Sequence, residues 1–212
     1  MHVSLSLWSV DQAHIADEIK RYGPLIDSFH IDVMDGRFAD DLLFGPLMVE
    51  VVRALTDKPI AAHLMVDDPM HWIPRFASAG ANTIVFHPSA HGEVPSTISA
   101  INAAGCAAGL ALALHESEQP ALDNLAGLAE LYVMGTAVGV RGRPLNRQAL
   151  ELVRTLSAVR PAAERPMVLV DGGIRWSSVS AIASAGGQGV VAGSIVANAD
   201  DAGAAAVRLA TM

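Results

Sequence analysis

Four side chains that bind cations well stand at the ends of short apolar runs. The run Phe29-His30-Ile31-Asp32-Val33-Met34-Asp35-Gly36 carries two of them, His30 and Asp32. They are two residues apart, so in a β-strand both point to the same side. Ala62-His63-Leu64-Met65 ends another run with an imidazole, and Leu169-Val170-Asp171-Gly172-Gly173 ends a third with a carboxylate. Alone, a histidine at a strand end is commonly a hydrogen-bonded bystander, and an aspartate before two glycines is commonly a turn former. Together, His30, Asp32, His63 and Asp171 offer nitrogen and oxygen ligands suited to one divalent ion: Zn, Mn, Fe or Co.

Such a site suits one kind of reaction. A proton α to a ketone is weakly acidic, and its removal needs the resulting enediolate to be stabilised, which a divalent cation does as a Lewis acid. Inverting the carbon then takes a base on one face of the planar intermediate and an acid on the other. Asp32 and Asp171 are the expected catalytic pair. One should start ionised and the other protonated, their surroundings holding the two pKa values apart.

Two glycine-bearing turns point to an anion. Gly172-Gly173 follows one apolar run and Ala192-Gly193-Ser194-Ile195 follows the next and last. Glycine lets backbone amides approach an anion closely, and loops after the seventh and eighth strands of a barrel form a common phosphate site. Ordinary tight turns are the alternative. The two lysines, Lys20 and Lys58, fall in a helical stretch and in a loop entering a strand. Neither stands at a strand's carboxyl end, which counts against a Schiff-base aldolase and against an orotidine-phosphate type of decarboxylase with a lysine among its aspartates.

The elements that must position these residues alternate along the whole chain. Strands are expected at 3–7, 28–33, 60–64, 83–86, 108–112, 131–134, 167–170 and 189–191. Helical patterns fall between them at 13–22, 47–55, 70–79, 97–104, 121–126, 147–159 and 177–185. This alternation specifies parallel strands with crossover helices. Eight units in so short a chain predict an α/β fold, a single (β/α)8 TIM barrel, with residues 1–212 as one catalytic domain. Ala79-Gly80-Ala81, Ala104-Gly105-Cys106 and Ala185-Gly186-Gly187 read as left-handed helix caps just before strands. An open dinucleotide-binding sheet would want a glycine-rich turn after its first strand, where Ser6-Leu7-Trp8-Ser9 stands instead. Barrel chemistry sits at the carboxyl ends of strands, where the four ligand-type residues fall.

Composition narrows the classes further. Of 212 residues, 51% are hydrophobic and 17% charged, which suits one large core and excludes disorder. The net charge of −8, with no Lys/Arg cluster, argues against nucleic acid as a partner. Cys106 lacks an internal disulfide partner and reads as a small buried filler. The amino terminus has no basic-then-apolar signal pattern, and the stretch 103–114 is too short and glycine-broken to span a membrane. A cytoplasmic protein with no membrane partner is expected.

Taken in order, Ser6-Leu7-Trp8-Ser9, His30-Ile31-Asp32-Val33-Met34-Asp35-Gly36, His63-Leu64-Met65, Val170-Asp171-Gly172-Gly173 and Ala192-Gly193-Ser194 resemble the motifs of the ribulose-phosphate 3-epimerase family. The resemblance runs over essentially the whole chain. It implies metal binding by His30, Asp32, His63 and Asp171, acid–base roles for the two aspartates, and no organic cofactor. It further implies substrate contact by Ser6, with Met34, Met65 and Met134 beside the intermediate, and a family position for His87. The implied reaction converts D-ribulose 5-phosphate to D-xylulose 5-phosphate in a homo-oligomer.

Two stretches and one further residue depart from the family's pattern. A glycine-rich loop after the sixth strand becomes Ala137-Val138-Gly139-Val140-Arg141-Gly142-Arg143 within the divergent stretch 137–145. Gly139 and Gly142 persist, whereas Arg141 and Arg143 are new, either pairing with phosphate or simply solvated. After the fifth strand Ala113-Leu114-His115-Glu116 replaces the usual residues, and Arg37 replaces a common histidine. These changes leave the ligand set intact and alter the pocket walls, so another ketose phosphate, such as allulose 6-phosphate or a tetrulose phosphate, is a second expectation. A metal-dependent sugar-phosphate hydrolase and a non-catalytic sugar-phosphate sensor are the rival readings.

Overall fold

Near-continuous apolar runs make strands that are buried on both faces, the condition of a parallel sheet covered by helices. The computed structural model, which describes residues 1–159 and 166–212, forms eight such strands: β1 (His2–Ser6), β2 (Ser28–Asp35), β4 (Ile60–Met65), β5 (Thr83–Phe86), β6 (Ala107–Leu112), β7 (Glu130–Met134), β8 (Met167–Asp171) and β9 (Gly189–Ala192). They hydrogen-bond in parallel in the order β1-β9-β8-β7-β6-β5-β4-β2, and a β1–β2 pairing closes the ring. A two-residue strand, β3 (Leu42–Leu43), adds antiparallel to the end of β2 outside that ring. The expected barrel is therefore present, with one strand that the sequence pattern did not announce.

The helices are α1 (Ile15–Tyr22), α2 (Pro46–Arg53), α3 (Pro69–Ala79), α4 (Val94–Ala103), α5 (Gln119–Leu122), α6 (Arg147–Ala158), α7 (Trp176–Ser184), α8 (Ser194–Ala197) and α9 (Ala202–Ala210). Their starts follow local chemistry. Proline opens α2, α3 and α4, where its missing N–H costs nothing, and Asp68, Asn146 and Asp201 cap α3, α6 and α9 by accepting a first-turn N–H. Gly80, Gly105 and Gly186 take positive φ at the expected caps. The helical pattern at 121–126 resolves into the short α5 and a separate 3-10 turn, Leu125–Gly127.

Two apolar layers result. The larger lies between strands and helices and includes Leu5, Phe29, Ile31, Leu64, Phe76, Phe86, Leu110 and Val170. The smaller fills the barrel itself with Val85, Ala111, Tyr132, Met134, Leu169 and Val191. Register then sets the height of the polar residues. Parallel pairing puts Ser6 beside His30, Asp32 beside His63, and Met134 beside Asp171. The side chains meet inside the barrel near its carboxyl rim.

Candidate metal centre and cavity

The structure brings His30, Asp32, His63 and Asp171 to one point. Nε2 of His30 lies 3.2 Å from Oδ1 of Asp32, 3.4 Å from Oδ2 of Asp171 and 3.3 Å from Nδ1 of His63. Nδ1 of His63 lies 3.5 Å from Oδ1 of Asp32 and 3.3 Å from Oδ2 of Asp171. One ligand atom from each residue falls within 4.8 Å of all the others, and all four residues are buried. An ion bonded tetrahedrally at about 2.0–2.1 Å separates neighbouring ligand atoms by about 3.3–3.4 Å. The five separations that involve a histidine nitrogen, 3.2–3.5 Å, lie close to that edge length, so the cluster is consistent with one divalent cation in both chemistry and size.

Neighbours hold the cluster in place. The Ser6 hydroxyl donates to Oδ2 of Asp32 at 2.8 Å, leaving Oδ1 turned to the histidines. Below, the Tyr132 ring stacks at 6.3 Å on His63 and tilts at 5.6 Å against His30. Beside it, Nε2 of His87 lies 3.0 Å from Nε2 of His63.

The two histidines and the two aspartates favour each other's charged forms. Burial alone pushes the His30 imidazolium down, but Asp32 and Asp171 outweigh it and hold its pKa up at about 10. His63 is raised against the same burial penalty by its bonds to Asp171 and Asp32. Burial pushes both carboxylates up, yet the histidines pull Asp32 and Asp171 below the ordinary carboxylate range, with Asp32 opposing the fall at Asp171. A cation bound there would meet two carboxylates already held ionised and would take the place of protons on the imidazoles.

A cavity of about 300 Å³ opens above the cluster, lined by Asp32 and Asp171 together with Ser6, Met65 and Met134. Gly139, Gly142, Gly172, Gly173, Gly193 and Ser194 line it as well, toward the loops. At Gly173, φ is +71° and an added Cβ would sit 2.5 Å from the Leu145 backbone nitrogen, so only glycine fits. Met34 is the exception among the expected contacts. It does not line the cavity but packs with Ala39 and Met65, its sulfur close to Gly139.

The new arginines divide. Arg141 is exposed at the cavity edge and held to Trp8: its Nη1 donates to the Trp8 carbonyl at 2.6 Å and its guanidinium lies 4.4 Å over the Trp8 ring. Arg143 lines the cavity and, among the described residues, makes no hydrogen bond or ion pair. A third cation, Arg175, also lines it and donates to the Gly142 carbonyl at 3.0 Å. Sequence reasoning missed Arg175, although it stands two positions past Gly173. Trp8, in the sequence only a part of Ser6-Leu7-Trp8-Ser9, also lines the cavity.

Comparisons with known proteins agree with this geometry. A model of the Ribulose-phosphate 3 epimerase family matches residues 2–197. The chain is 36% identical over 208 residues to a ribulose-phosphate 3-epimerase of Mycobacterium tuberculosis, covering 98% of this chain and 90% of that protein. It is 38% identical over 211 residues to ribulose-phosphate 3-epimerase 1 of Cupriavidus necator, covering 93% and 84%. In fold it resembles 3-hexulose-6-phosphate synthase of Salmonella typhimurium, with a TM-score of 0.74 at 19% identity over 100% of this chain and 97% of that one. The chain belongs to the ribulose-phosphate 3-epimerase family, a family of isomerases.

Proposed function

We propose that the chain, as one catalytic domain, reversibly inverts C3 of a ketose phosphate, D-ribulose 5-phosphate to D-xylulose 5-phosphate. The observation that carries this reading is the convergence of Asp32 and Asp171 on one buried cluster at the floor of a cavity. A divalent cation held by His30, Asp32, His63 and Asp171 supplies Lewis-acid stabilisation of the negative charge that develops on the substrate.

The residues of the chain divide the remaining work. Asp32 accepts the Ser6 hydroxyl at 2.8 Å, which favours its ionised form and suits it to take the C3 proton. Asp171 stands across the cluster from Asp32 and returns a proton on the opposite face. Burial and, less strongly, the Asp32 charge oppose the pull of His30 and His63, which still leaves its carboxyl below the ordinary range. In the reverse direction the roles exchange. Met65 and Met134 give the reacting carbons an apolar wall that keeps water from the intermediate.

Backbone amides at Gly172, Gly173, Gly193 and Ser194 receive the phosphate, with Arg143 and Arg175 adding positive charge near it. Arg141 acts indirectly, by fastening the loop to Trp8. The expected departures at 137–145, at 113–116 and at Arg37 are the reason to keep allulose 6-phosphate and a tetrulose phosphate as alternative substrates. Cytoplasmic placement and self-association complete the proposal. Exposed Leu42, Leu47, Val51 and Met70 supply apolar surface for a second copy, and light scattering of the purified protein tests it by mass. No described helix is long and apolar enough to cross a membrane.

The deciding assay offers zinc-loaded protein each ketose phosphate and follows both 3-epimer and inorganic phosphate. Epimer without phosphate release supports the proposal. Phosphate release would replace it with a hydrolase, and tight binding without either product would replace it with a sensor.

A further inference from the structure

The buried polar chain continues past the four cluster residues. His87 follows β5 and is 1% exposed. Its Nε2 meets Nε2 of His63 at 3.0 Å, while its Nδ1 is buried with no hydrogen-bond partner. The carboxylate facing that orphaned nitrogen is Glu116, with Oε2 at 3.7 Å, an ion-pair distance rather than a hydrogen bond. Glu116 is itself anchored, accepting the Ala113 N–H at 2.6 Å just beyond β6. The Phe38 ring covers His87, its centroid 5.0 Å from that of the imidazole. Glu116 belongs to Ala113-Leu114-His115-Glu116, one of the segments that depart from the family's pattern.

Proton accounting ties these residues together. Nδ1 of His63 faces the cluster, so when it binds a cation its ring proton must reside on Nε2. That N–H donates to Nε2 of His87, which must then accept. The proton of His87 is thereby confined to Nδ1, the nitrogen that faces Glu116. A buried carboxylate behind a histidine ligand fixes ring orientation and strengthens the ligand as a base.

We propose that Glu116 is a positioning residue for the cation site, acting through His87 to fix the tautomer and orientation of His63. The inference rests on the reading of His30, Asp32, His63 and Asp171 as a cation site. It adds a second layer behind that site, built from a residue that touches neither cation nor substrate.

The test measures zinc affinity of the full chain by competition with a chelator, for the wild type and for Glu116→Gln, which keeps an oxygen for the Ala113 N–H. Melting of the zinc-free proteins and two-bond 15N–1H spectra of the histidine rings accompany it. The expected result is zinc affinity lower by about 10- to 100-fold in the variant, with zinc-free melting unchanged. In the zinc-loaded wild type, His87 should carry its proton on Nδ1 and His63 on Nε2. Unchanged affinity, a zinc-free variant that melts earlier in proportion to its lost affinity, or a His87 proton on Nε2 in the wild type would each overturn the proposal. The spectrum of the wild type decides even where the variant does not fold. A wild type that binds no zinc removes the cation site itself, a failure distinct from a zinc-binding wild type indifferent to Glu116.

Discussion

The floor and the far wall of the cavity are built by different means. The floor consists of side chains on β2, β4 and β8, all buried and set at one height by backbone register, with Asp32 paired directly to His63. The wall is made of loops whose cations are exposed, with Arg141 and Arg175 each held to a carbonyl across the cavity mouth. Moving a floor residue would require shifting a strand, whereas a wall residue changes at the cost of one or two hydrogen bonds. This difference teaches where variation is tolerated: the expected cation ligands sit in the floor, while the stretches expected to depart from the family's pattern, 113–116 and 137–145, lie in loops.

That contrast can be broken most severely at the floor. Asp32→Asn and Asp171→Asn should each lower epimerisation by about 10²- to 10⁴-fold, the usual worth of a general acid or base, while circular dichroism stays unchanged and bound zinc is measured alongside. Near-normal turnover in either variant would mean that the floor does not carry the chemistry.

Acidity offers a second handle on the floor. The pKa of His30 is raised to about 10 in the fold against an ordinary value of 6.5. Its contribution to the stability of the cation-free protein is therefore fully present below about pH 6.5 and lost as pH rises through about 10. A cation displaces that proton, so apparent zinc affinity should rise with pH over this window, by up to about tenfold per unit for each proton released. Melting of zinc-loaded and chelated protein at several pH values checks this: the gap between them should widen as pH rises. A gap that narrows would contradict the assigned protonation.

Smaller effects are expected at the wall. Arg175→Ala should raise KM by about tenfold with kcat little changed, since a charged hydrogen bond contributes about 1.5–3 kcal/mol and this one is exposed. An equal fall in kcat would instead give the arginine a part in the chemical step. Arg141→Ala removes an exposed contact with an aromatic ring, worth about 0.5–1 kcal/mol. Steady-state kinetics should change only a few-fold, while amide exchange in the 137–145 loop quickens. Exchange that stays slow would show that the loop is held by something other than Trp8.

Much of the floor was legible in the sequence because its logic is local. His30 and Asp32 two residues apart, His63 before Leu64-Met65, and Asp171 before two glycines interrupt apolar runs at strand ends, where period-two geometry dictates their direction. The wall was less legible because its contacts are remote. Arg141 meets Trp8 across 133 positions, and no local pattern encodes that pairing. Glu116 faces His87 from a loop after another strand, and Arg175 follows a motif that reads as complete at Gly173. The carboxyl-terminal helix α9 also escaped notice. Its buried positions are Ala202, Ala205, Ala206 and Leu209, mostly too small to mark an apolar stripe against the alanines around them. β3 is only two residues long, below the reach of any periodicity.

The central claim is that Asp32 and Asp171 exchange the C3 proton of a ketose phosphate at the cation cluster. Proton NMR of D-ribulose 5-phosphate with zinc-loaded wild-type protein in deuterated water tests it directly. The account predicts deuterium entering C3 as xylulose 5-phosphate appears, with no inorganic phosphate released. A C3 proton that stays undiluted in the pentulose phosphate, and likewise in the allulose and tetrulose phosphates, with zinc occupancy verified, would contradict it.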